Sequence, residues 1–104
     1  MTPEASKSLN AFCASLSAGA PSTDLSAPLQ ALWWSRKDAW TEAHTLVQGD
    51  QSAEAAWVHA YLHRVEGDLS NAAYWYRRAD KEPSTVALDA EWTEIAAAFL
   101  DQQT

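Results

Sequence analysis

One cysteine, one methionine, three glycines and four prolines are all that this chain of 104 residues holds of the side chains that staple or punctuate a fold. The lone Cys13 excludes an intrachain disulfide and any zinc site built on cysteine pairs. Its place in the series Leu9, Phe12, Cys13, Leu16 predicts a thiol on the buried face of a first helix. Basic residues are scarce as well. Seven Lys and Arg stand against 14 Asp and Glu, a formal net charge of −7, which argues against nucleic acid, because phosphate binding needs a basic surface to replace counterions. The surplus is carried mainly by residues 53–104, with nine acidic and four basic groups. No run approaches the roughly 18 apolar residues of a membrane span, and no leader-like apolar segment follows a basic start. The expectation is a soluble cytoplasmic protein, with no membrane contact.

Also missing are a Gly-rich phosphate loop, a Gly-x-Ser-x-Gly elbow and the His-Glu-x-x-His order of metalloproteases. Acidic residues are plentiful, yet none stands in apolar surroundings that would mark it as a catalytic acid. The sequence therefore points away from an enzyme, and it implies no cofactor.

Hydrophobic residues make up 47% of the chain, which excludes disorder, and they recur at helical rather than alternating spacing. The fold class is all-α, with no sheet. Helices are expected from Pro3 to about 17, then over 26–37, 39–48, 52–66, 69–81 and 85–102. The last places Leu88, Trp92, Ile95, Ala96 and Phe99 on one face, with Asp89, Glu91, Glu94 and Asp101 mostly elsewhere. A single domain spans 1–104: an N-terminal helix and connector (1–24), a first hairpin (25–50), a second hairpin (51–83) and a C-terminal capping helix (84–104).

The second hairpin is the most informative segment. Gly67 follows the last apolar position of one helix, Val65, where a left-handed residue is cheapest for glycine. Asp68 then stands where its carboxylate accepts the free N–H groups of the next helix. Leu69, Ala72, Ala73, Tyr76 and Ala79 follow at helical spacing, and the alanines let two helix axes approach closely.

With Gly67, Asp68, Ala72, Trp75, Tyr76 and Ala79 in register and Pro83 near the expected end, residues 53–83 resemble tetratricopeptide and Sel-like helical repeats. The large first-helix positions of that pattern fall here on Ala56 and His63, with Trp57 displaced by one. The chain also looks like small bacterial proteins that carry a Gly-Asp…Trp-Tyr-Arg-Arg-Ala hairpin. The resemblance implies a right-handed array of two hairpins and, for function, a surface that holds a protein or peptide. A weaker echo lies 29 residues upstream, where Leu29, Ala31, Leu32, Trp40, Ala43 and Val47 match Val58, Ala60, Tyr61, Leu69, Ala72 and Tyr76. Asp38 there takes the place of Gly67, so this first copy lacks the glycine corner.

Six tryptophans need places. Trp75 and Trp92 fall on apolar faces and are expected in the core. Trp40 and Trp57, near helix starts, can pack their rings inward while their N–H groups reach a polar partner. Trp33 and Trp34 point about 100° apart, so they cannot share the centre of one stripe. Either the helix is covered on two sides under the N-terminal helix, or one indole is exposed for a partner or for a second copy of the chain.

Tyr74, Trp75 and Tyr76 sweep about 200° of their helix. With Tyr76 turned to the core, Tyr74 leans outward beside Arg77 and Arg78, a strip suited to carboxylates. Tyr74, Arg77 and Arg78, joined by His63 and Trp34, form the expected binding surface for a protein or peptide of acidic character. The alternative for the arginines is internal pairing with Glu66, Asp80 or Glu82. A second functional reading is a small-molecule or metal-binding sensor. His59, His63 and Glu66, at i, i+4 and i+7, line one side of a helix, and a third imidazole could come only from His44. The simpler expectation for that side is a solvated polar stripe without metal.

Overall fold

The structure, a computed structural model, describes residues 3–102, with side chains from 9 to 101. Its elements are α1 (Pro3–Ala14) with a 3-10 turn at Ser15–Ser17, α2 (Ala27–Arg36), α3 (Trp40–Gln48), α4 (Ala53–Val65), α5 (Leu69–Arg78) and α6 (Leu88–Gln102). The fold is all-α, without a strand among the described residues. Among the described residues no helix is long and apolar enough to cross a membrane.

Local chemistry sets the helix starts. Ser26 accepts from the N–H of Leu29 with Pro28 in the first turn, Ser52 accepts from Ala55, and Asp68 accepts from Asn71. Gly67 adopts φ +85°, the left-handed conformation expected at the corner. Asp38, the counterpart that lacks glycine, adopts φ 60°, so the first hairpin turns through the same region of conformational space. Asp80, at φ 61°, ends α5 earlier than the apolar spacing predicts.

α4 is the central helix. It packs against α2, α3, α5 and α6, and its buried residues run almost without interruption from Ala55 to His63. The main core joins Phe12, Leu29, Leu32, Trp33, Val47, Val58, Leu62, Trp92, Ile95 and Phe99. A smaller cluster, Ala60, Ala72 and Tyr76, seats α5 on α4, the two alanines allowing the close approach. Of the helices, α5 packs substantially on α4 alone, whereas α6 turns back to α1, α2 and α4.

The tryptophans divide as follows. Trp33 is buried, its Nε1 donating to Ser15 Oγ at 3.0 Å, while Trp34 is half-buried with its ring edge-on to Trp33. Trp92 lies in the core and donates to the Leu32 carbonyl at 2.9 Å. Trp75 is not core: it is half-buried at the surface of α5. Cys13 is exposed rather than buried, because Phe12 alone takes the inward direction at that turn of α1. Leu69 is 66% exposed.

Glu91 reverses another expectation. It is fully buried and accepts from Arg64 Nη1 at 2.6 Å, Tyr76 OH at 2.5 Å and Trp57 Nε1 at 3.3 Å. Burial first, and the hydrogen bond to Glu91 second, push the Tyr76 phenol upward, so it keeps its proton and serves as a donor. Arg64 also donates to the Val86 carbonyl at 2.6 Å, tying the segment between α5 and α6 to α4.

Candidate partner-binding face and the histidine cluster beneath it

α5 is amphipathic, with Ala72 and Tyr76 inward, which leaves Tyr74, Arg77 and Arg78 on its outer side. Tyr74 is 45% exposed. Arg78 Nη1 donates to Tyr74 OH at 3.2 Å, and its guanidinium lies over the rings of Tyr74 (5.8 Å) and Trp75 (5.3 Å). That stacking holds the fork in place without a carboxylate. The arginine ion pairs among the described residues are Arg36–Asp89 and Arg64–Glu91, so neither Arg77 nor Arg78 is paired with Glu66, Asp80 or Glu82. Both arginines also occupy the last turn of α5, where positive charge suits the helix dipole.

His63 and Trp34 do not extend this strip. His63 is only 6% exposed on α4, and Trp34 borders a shallow cavity of about 340 Å³ with Gln30, Thr41, Glu42, Thr45 and Leu46.

Beneath Trp75 lies a cluster of imidazoles. The Trp75 ring stacks on His59 at 3.8 Å between centroids. His59 Nε2 faces His44 Nε2 at 2.9 Å, bringing α3 to α4. His63, one turn along α4, stacks on His59 at 5.0 Å, and its Nδ1 lies 2.9 Å from Glu66 Oε2. Trp40, held by a 2.8 Å bond from its Nε1 to the Leu62 carbonyl, stacks on His44. The expected solvated stripe is therefore wrong: His59 and His63 are 4% and 6% exposed, covered by α3 and by Trp75. Glu66 alone of the i, i+4, i+7 trio is exposed.

The electrostatics keep the cluster neutral where it is deepest. Burial, and then the neighbouring His44 and His63, push His59 down to about 4. Burial and His63 lower His44 too, against a smaller opposing pull from Glu66. Nδ1 of His59 is the one buried side-chain polar atom without a hydrogen-bond partner among the described residues. Spacing along α4 brought His59 and His63 to notice, and only the packing of α3 supplies His44. Nothing matches this chain among family models, curated proteins or solved structures.

Proposed function

We propose that this is a non-enzymatic binding module, acting in the cytoplasm, whose outer α5 face takes an acidic protein or peptide segment. One observation carries the reading: two adjacent, exposed guanidinium groups beside an exposed tyrosine have no carboxylate partner among the described residues, in a chain where acidic groups outnumber basic ones two to one. Arginine forks bind carboxylates bidentately, and a partly exposed aromatic ring adds apolar contact to each. Because Arg78 is already ordered by Tyr74 and Trp75, less side-chain freedom is lost when a ligand docks.

The test is affinity purification of the tagged protein from its native cell, set beside the Arg77→Glu/Arg78→Glu variant. Both arginines are exposed, so the variant is expected to fold, and circular dichroism checks that it does. A partner segment identified with the first protein should bind it directly in a titration. Affinity should fall at least roughly 100-fold with the second, as expected for two charge-assisted hydrogen bonds. Binding that is unchanged by the double reversal, or by raising the salt, would remove α5 as the docking face.

A further inference from the structure

We propose that His44, His59 and His63 form a binding site for one borderline transition-metal ion, zinc(II) in tetrahedral form, with three imidazole ligands, Glu66 supporting His63 and the fourth position left to water. One ring nitrogen from each histidine lies within 4.8 Å of the other two. Two nitrogens on a tetrahedral zinc stand about 3.3 Å apart, given metal–nitrogen bonds of about 2.0–2.1 Å. The His44–His59 pair, at 2.9 Å, needs to open only slightly to admit an ion.

Two further features point the same way. The first is the carboxylate behind His63. As a carboxylate Glu66 only accepts, so His63 donates from Nδ1 and its lone pair is left on Nε2, the tautomer that a second carboxylate–imidazole bond fixes in metal sites.

The second is the aromatic wall. Trp40 on His44 and Trp75 on His59 fix the ring planes and keep water from the deep side, while half-buried His44 remains the route of entry.

The donor set decides the class of ion. Three imidazoles, without thiolate or a directly facing carboxylate, suit zinc, copper or nickel and not calcium or magnesium. A second grouping, His63 with Glu66 and Asp68, competes poorly, because Asp68 already accepts from Asn71 at the start of α5.

Protein made without a polyhistidine tag and stripped with EDTA is titrated with zinc by calorimetry and with Co(II) by visible absorption. The expected result is one ion per chain, micromolar or tighter, with the intense bands of four-coordinate Co(II). His44→Ala should weaken zinc at least roughly 100-fold, and Glu66→Gln, at a supporting position, roughly 10-fold to 100-fold. His44 and Glu66 lie at the rim, so these variants test the site even if changes at His59 or His63 disrupt folding. Circular dichroism and urea unfolding in EDTA establish that each is native. Folded protein that takes up no zinc at millimolar concentration, a six-coordinate Co(II) spectrum, or undiminished binding by folded His44→Ala overturns the site.

Discussion

Three donors from two helices converge on Glu91 of α6, and this carboxylate ties α4, α5 and α6 together. A buried ion pair gains little over a good apolar core, but removing one partner strands the other. Glu91→Ala leaves the Arg64 guanidinium, the Tyr76 hydroxyl and the Trp57 indole without their acceptor, and should cost about 3–5 kcal/mol in urea unfolding. Tyr76→Phe removes one donor while the carboxylate keeps two others, and should cost about 1.5–3 kcal/mol. A loss under about 1 kcal/mol for Glu91→Ala would show that the network is incidental. In the sequence Glu91 is set apart from the apolar face of Leu88, Trp92 and Ile95, and the partners that seat it inward, Arg64 and Tyr76, lie 27 and 15 residues distant in sequence on other helices.

At the scale of elements, local chemistry carried the reading well and long-range contacts carried what was missed. The helix starts at Ser52 and Asp68 and the corner at Gly67 follow from capping and from left-handed geometry alone. The first hairpin is expected without a glycine corner, and Asp38 enters the same left-handed conformation there, which a short polar side chain tolerates. The two corners make a paired prediction. No atom lies within 4 Å of a Cβ placed on Gly67, so Gly67→Ala carries only the conformational cost, roughly 1–2 kcal/mol. Asp38→Gly relieves that cost but loosens the unfolded chain, and should be neutral or stabilising by up to about 1 kcal/mol. Thermal melts of both variants decide it, and a more stable Gly67→Ala would mean that the left-handed corner is wrong. The candidate sites divide along the same line. The outward direction of Tyr74 and the arginines could be read from α5 alone, whereas the burial of His63 and the approach of His44 required α3 to be placed against α4.

For the whole molecule, the histidine cluster links stability to pH. In the unfolded chain His59 titrates near its ordinary value of about 6.5. In the folded protein burial and its two histidine neighbours hold it at about 4. Between those values the unfolded chain binds a proton that the native chain refuses, so stability is complete above about 6.5 and declines as pH falls toward about 4. The lowered His44 adds to the decline in the same direction, and Glu66, which favours the charged ring, offsets part of it. The contribution is on the order of 1–3 kcal/mol, a large share of what holds so small a domain together. Most carboxylates stay ionised above about pH 5, so a comparison of pH 7 with pH 5 isolates the histidines. Metal-free protein in EDTA should unfold at lower urea concentration at pH 5, and His59→Phe, which keeps a ring against Trp75, should show a smaller difference. Equal midpoints for the wild type at the two pH values would mean that the cluster is open to water and that the two helices do not close over it.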